Sequence, residues 1–221
     1  DLDIYNGKEL NDSNYVNKVG YENLLRTIRS SAVGIKPFDA EEVLAAQYAL
    51  NEKGKGVMGI VLYQYSYIKE DALTNNLIRY ENEQVFDNVI NGVWQNPYAT
   101  GYTLGFSVQD STLYGSTITY SFPATIWKSN ITASSVEFDA DDGRGYILIT
   151  KGGSHSVTYS SGGVKHLKMR AKLSNGYCLY SHSLAKIISD AEISTRAIKD
   201  GVIEPDETKD FEVTLPYNGI I

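Results

Sequence analysis

The sequence predicts a mainly β fold, a sandwich preceded by a short α-helical N-terminal region. Three observations carry this expectation. Apolar residues recur at helix spacing only over the first fifty positions. From Val57 onward short apolar-rich runs alternate with turn residues as far as Ile187. The chain also holds 17 tyrosines and 19 glycines among 221 residues, the palette of β structure in which tyrosine buries its ring and keeps its hydroxyl hydrated.

In "NKVGYENLLRTIRSS", Tyr21, Leu24, Leu25 and Ile28 fall on one helical stripe. A second helix follows Pro37. Asp39 is placed to cap its free amides and Glu42 stands three residues on, the spacing of a capping box. Its expected buried face is Val43, Ala46 and Leu50 with Leu44 and Tyr48, and it ends at "NEKGKG". "VMGIVLYQYSYI" is apolar on both alternating sets over its first half, the pattern of a strand covered on both faces. Further strands are expected around 77–80, 102–108, 116–122, 136–138, 146–150, 155–159, 164–173 and 177–187, with one more at Phe211 to Leu215. The expected organisation is a helical segment 1–55, a β-rich region 56–130 packed with it, a sandwich 131–188, and a C-terminal extension or start of a following domain 189–221.

The hairpin "HLKMRAKLSNGYCLYSHSL" turns at Asn175-Gly176, a strong two-residue loop signal. With that loop, Leu173 pairs with Cys178, Ala171 with Tyr180, Met169 with His182 and Leu167 with Leu184, all on the core face. Leu179, Ser181 and Ser183 then lie on the wet face with His166, Lys168, Arg170 and Lys172. In this register Cys178 is a buried, protonated thiol, His182 is a hydrogen-bonded core histidine, and His166 points away from it. His155, in the glycine turn "KGGSHSV", is expected in solvent.

Composition narrows the function classes. The net charge of −7 and the pI near 5.0 give no basic footprint for nucleic acid. One cysteine allows no intrachain disulfide. The longest apolar run is too short to span a membrane, and the start "DLDIYNGKEL" reads as a processed or trimmed one. No G-x-S-x-G, zinc spacing or phosphate loop occurs, so no catalytic residue and no organic cofactor is assigned.

"VEFDADDGRGY", from Val136 to Tyr146, is the densest motif. Its two glycines permit a tight corner between strands, with Asp139, Asp141 and Asp142 accepting backbone amides. The same three carboxylates would suit calcium, although the spacing is not that of an EF-hand loop. Acids so close on one turn do not face each other across a sugar as glycosidase carboxylates do. In "WQNPYATGYTLGF", Trp94, Tyr98 and Tyr102 are candidate ligand-binding aromatics that could stack on a sugar, the alternative being that they pack between the helices and the sandwich.

The stretch from the acidic corner through "KGGSHSVTYSSGGVKHL" to the Asn-Gly hairpin resembles a PKD-like, immunoglobulin-type β-sandwich, in particular the β-module of secreted multidomain Bacteroidetes-type proteins. The resemblance covers Gly56 to Ile188, and the chain departs from the family's "DFGDG" by reading "FDADDG". It implies a non-catalytic interaction or spacer module with Asp139, Asp141, Asp142 and Gly143 as corner residues. The implied setting is secreted, periplasmic or at a bacterial cell surface, with a glycan or surface protein as partner and the chain a monomer. Two other functions fit the same residues: the accessory part of a secreted hydrolase whose catalytic domain lies outside this chain, and an adhesin or assembly protein working through an exposed sheet edge.

Overall fold

The two N-terminal helices form where the sequence places them and cover one face of a β-sheet. The structure, a computed structural model, describes residues 5, 7–8, 11, 15–32, 37–52 and 55–193, so the strand expected at Phe211 to Leu215 lies outside the described residues. Helix α1 (Lys18–Ser31) is capped by Asn17, whose side chain accepts the Gly20 amide, and it buries the expected Tyr21, Leu24, Leu25 and Ile28. Helix α2 (Ala40–Ala49) starts at Asp39, which accepts the amides of Glu41 and Glu42. Its buried face differs from the expected one: Tyr48 and Leu50 are exposed, and Gln47 is buried beside Ala40 and Val43. Gln47 Nε2 donates to the carbonyls of Val57 and Ser107, so satisfying two strand carbonyls sets the roll of this helix.

The strands run in chain order as β1 (Lys55–Ile68), β2 (Ile78–Glu81), β3 (Gln84–Asp87), β4 (Val89–Ile90), β5 (Val93–Trp94), β6 (Tyr98–Val108) and β7 (Thr112–Tyr114). There follow β8 (Thr117–Ser121), β9 (Trp127–Ser129), β10 (Ala133–Asp139), β11 (Ile147–Ile149), β12 (Ser154–Thr158), β13 (Gly163–Leu173) and β14 (Cys178–Ile188). One sheet has the order β12-β8-β1-β6, with β9 joining β1 on a second parallel pairing. The other has the order β11-β10-β13-β14-β7, in which β7 is parallel to β14. The fold is therefore mainly β with mixed sheets and a short helical N-terminal region.

Between the sheets, Met58, Ile60, Leu62 and Phe106 meet Phe138, Leu167, Met169 and Ile187 in one apolar core. Phe138 sits at its centre, with its ring edge-on to Phe106, Tyr120 and Phe122. On the other face of β1, Val57, Val61 and Tyr63 pack under α1 and α2, which explains why both alternating sets of this strand are apolar. Gly59 belongs to this face because Tyr21 lies where its Cβ would be, 2.5 Å from the hydroxyl oxygen. The segments 56–130 and 131–188 share both sheets and this one core, since β12 pairs with β8 and β7 with β14. Residues near Lys128, expected as a boundary, form β9 on the edge of β1.

The β13–β14 hairpin departs from its expected register by one residue. Lys172 pairs with Cys178, Ala171 with Leu179, Met169 with Ser181 and Leu167 with Ser183. The loop has three residues, Ser174 to Gly176: the Gly176 amide donates to the Leu173 carbonyl, Gly176 has φ +89°, and Leu173 N donates to Tyr177 O. A slip of one residue exchanges the two faces of a strand. Leu179, Ser181 and Ser183, expected in solvent, are buried in the core, whereas Cys178 is half-buried on the opposite face. His182 leaves the core face for the same reason.

The chain start closes the sandwich along one side. Tyr5 O accepts from Leu104 N and Thr103 Oγ1, and Gly7 O accepts from Tyr180 N. Val16 N donates to His182 O, and Ser183 Oγ returns a bond to Val16 O. These bonds tie β6 and β14 into one wall. Beyond that wall β1 and β6 continue together, from Gln64 opposite Tyr102 to Ile68 opposite Tyr98, as a two-stranded arm whose tip carries the β2–β3 and β4–β5 hairpins.

Candidate functional site

At the acidic corner after β10, each aspartate accepts a backbone amide. Asp139 Oδ1 accepts the Asp141 amide, Asp142 Oδ1 accepts the Arg144 amide, and Asp141 Oδ2 accepts the His166 amide across to β13. Asp141, Gly143 and Gly145 take positive φ, which lets the chain reverse within a few residues. Burial alone would push the Asp142 carboxyl up, but the amide and guanidinium of Arg144 outweigh it and hold the group below its usual range. Among the described residues no group of three or more His, Cys, Asp or Glu side chains is arranged to hold a metal ion. Beneath the corner, Tyr159 Oη donates to Ala140 O at 2.7 Å and lies 2.7 Å from Tyr120 Oη.

The histidines are placed otherwise than the sequence suggested. His155, expected in solvent, is half-buried in β12, with its Nε2 at 3.1 Å from Arg144 Nη2. A guanidinium only donates, so Nε2 is the unprotonated nitrogen, and burial with the Arg144 charge lowers the pKa of this ring. His166 and His182, expected on opposite sides, share the outer face of β13 and β14 because of the register slip. Tyr15 joins them, with its hydroxyl 3.1 Å from His166 Nδ1 and its ring stacked on His182 at 4.2 Å. Cys178 and the three histidines converge on no common site.

The arm is the surface that stands out. Of nineteen large apolar side chains exposed among the described residues, eleven lie between Tyr67 and Tyr98. Over residues 69–97 only Ala72 and Pro97 are buried, so the two hairpins hold their shape without a core of their own. Their turns are tight: Asn82 and Glu83, and Asn91 and Gly92, all have positive φ. Trp94 is 49% exposed and Tyr98 42% exposed, so neither packs between the helices and the sandwich. Trp94 Nε1 donates to Asp87 Oδ2, which fixes the indole on the arm's surface. Tyr102 is separate from these two: its ring packs on Tyr177 and its hydroxyl accepts from Asn175 in the β13–β14 loop. Sequence reasoning missed the other arm residues, among them Tyr80, Val85, Phe86 and Val93, although Asn91-Gly92 between "NVI" and "VWQ" is a hairpin signal.

Comparison with protein-family models, with curated proteins and with solved structures found no match. Among the described residues no helix is long and apolar enough to cross a membrane.

Proposed function

We propose that this chain is a non-catalytic interaction module of a secreted or cell-surface bacterial protein, and that its contact element is the β1–β6 arm. One observation carries the reading: among the described residues, a segment of about thirty residues presents most of the exposed large apolar side chains and buries almost nothing. Isolated two-stranded hairpins are marginal in water, and a partner that covers them would supply the missing apolar contact. The resemblance of the sequence to a PKD-like, immunoglobulin-type module supports the reading, since a rigid sandwich holds a projecting loop system at a fixed angle. Trp94 and Tyr98 supply flat aromatic faces, and a glycan is the ligand class they suit best.

The test is binding of the purified chain to an array of bacterial and host oligosaccharides, repeated with Trp94→Ala and Tyr98→Ala. Loss of one stacking face weakens binding by roughly threefold to tenfold, the equivalent of about 0.5–1.5 kcal/mol. The melting temperature should stay unchanged, because both rings are exposed. Oligosaccharide binding that both variants retain in full would refute the assignment of these aromatics.

A further inference from the structure

We propose that the arm joins two copies of this chain, edge to edge, through β6. The inference rests on the interaction reading above and names the partner of the arm's edge, and it departs from the monomer expected from the sequence. On β6, Leu104 turns its amide away from β1, because that amide donates to Tyr5 O. Main-chain groups alternate in direction along a strand, so the amides and carbonyls of Tyr102 and Thr100 face the same open side. Among the described residues no hydrogen bond occupies them. The opposite edge differs at its base, where the Asn130 side chain takes both main-chain groups of Gln64.

Strand edges left open are normally blunted by charge, proline or a bulge. The β6 edge from Tyr98 to Tyr102 reads Tyr-Ala-Thr-Gly-Tyr and carries none of these. That segment is self-complementary. A two-fold axis at Thr100 would pair Thr100 with its own copy, Tyr98 with Tyr102, and Ala99 with Gly101. Two aromatic pairs and a threonine pair then face each other across the new ladder, combinations that stabilise antiparallel strands. Four main-chain bonds form. They are the two between the Thr100 copies and one from each Tyr102 amide to the other copy's Tyr98 carbonyl, since the Tyr98 amide already donates to Asn96 Oδ1.

Charge favours the same arrangement. Residues 69–97 carry five carboxylates against two cations, a net −3, whereas residues 127–188 carry eight cations against four carboxylates, a net +4. Antiparallel pairing about Thr100 sends each acidic tip toward the other copy's basic body and keeps the two tips apart. A charged peptide added to this edge would find no ion pair on it. A second copy meets no like charge there.

The experiment is sedimentation equilibrium over a hundredfold range of concentration, with Thr100→Pro, Thr100→Lys and Trp94→Ala beside the native chain. The native chain should rise from 24.5 kDa toward twice that mass. Thr100→Pro removes an amide that faces away from β1, and Thr100→Lys places a charge on the edge, so both should stay at the monomer mass. Trp94→Ala should still dimerise, so failure of the tip as a ligand surface and failure of the edge as a dimer contact are read separately. A register-specific readout covers the case in which the edge variants unfold. Thr100→Cys in a Cys178→Ser background should form an interchain disulfide on mild oxidation, and Ala99→Cys should not, because Ala99 does not meet its own copy across the axis. A native chain that stays monomeric, a dimer that survives both edge variants, or an absent Thr100→Cys cross-link each overturns the proposal.

Discussion

Replacing Tyr159 by phenylalanine removes one oxygen and should cost more than any exposed substitution in this protein, because that oxygen satisfies two other buried groups. Tyr120 is 0% exposed and Tyr159 4% exposed. Tyr159 gives its proton to Ala140 O, so the proton in the 2.7 Å contact between the two hydroxyls belongs to Tyr120. In Tyr159→Phe the Tyr120 hydroxyl loses its acceptor and the Ala140 carbonyl loses its donor, each in the core beneath the acidic corner. A buried polar group left unsatisfied costs about 1–3 kcal/mol, and with partial relaxation we expect about 2–3 kcal/mol for the variant. In a chain of this size that is a fall of about 5–10 °C in melting temperature. Tyr120→Phe should cost less, about 1 kcal/mol, because Tyr159 keeps its bond to Ala140. The double variant leaves only the Ala140 carbonyl unpaired and should lie well short of the sum. Tyr21→Phe is the control: its hydroxyl is buried with no hydrogen-bond partner among the described residues, and its loss should be neutral or stabilising. The measurement is thermal unfolding by circular dichroism. If Tyr159→Phe melts within a degree of the native chain, or falls no further than Tyr120→Phe, the donor order assigned here is wrong.

Alkaline titration gives a second expectation. Burial pushes the Tyr159 phenol up to about 12 and raises Tyr120 and Tyr21 as well, from an unfolded value of 10.0. A group raised on folding keeps its full contribution below its unfolded pKa. The urea midpoint should therefore be set by other groups below pH 10 and fall as pH rises from 10 toward 12; a midpoint that holds through this window contradicts the burial of these phenols. Gly59→Ala drives a methyl into the Tyr21 ring between helix and sheet and should cost about 1–3 kcal/mol. Gly101→Ala meets the Tyr65 ring on the arm, which can swing aside, and its unfolding midpoint should stay close to native. At the corner, Asp141→Asn keeps an acceptor for the His166 amide and tolerates positive φ, whereas Asp141→Ala loses both and should cost about 1–2 kcal/mol in chemical unfolding. The native chain should melt alike in calcium and in excess chelator, as fits carboxylates already committed to amides. A calcium-dependent rise abolished by Asp141→Asn with Asp142→Asn would return the corner to a metal site.

Local chemistry was legible in the sequence wherever it acts over a few residues. The α1 stripe, the Asp39 cap and the Asx turns of the acidic corner each depend on neighbours two to four positions away, and each stands where it was expected. The buried face of α2 was not legible because Gln47 reads as polar, and its partners are the carbonyls of strands that come later in the chain. β7 and β9 are three-residue strands in parallel pairings and carry too few residues to show a period. In the arm, one hairpin turns on Asn82-Glu83, where a glutamate adopts positive φ against its steric preference. The other turns on Asn91-Gly92, a hairpin signal present in the sequence but flanked by strands of only two residues each.

The β14 register shows why a good turn signal can mislead. Asn-Gly serves a two-residue loop, but a three-residue loop ending in a left-handed glycine uses the same dipeptide one position later. The pattern of β14 does not decide between them, since Cys178, Tyr180 and Leu184 alternate with Leu179, Ala185 and Ile187. In β1 the same two-sided pattern marks a strand covered on both faces, with the helices as the second cover. Read the same way, β14 required a second cover too. The structure supplies it with Tyr15 stacked on His182 and Val16 bonded along the strand. The signal missed in β14 was therefore its lack of a wet face, which called for a covering segment from elsewhere in the chain.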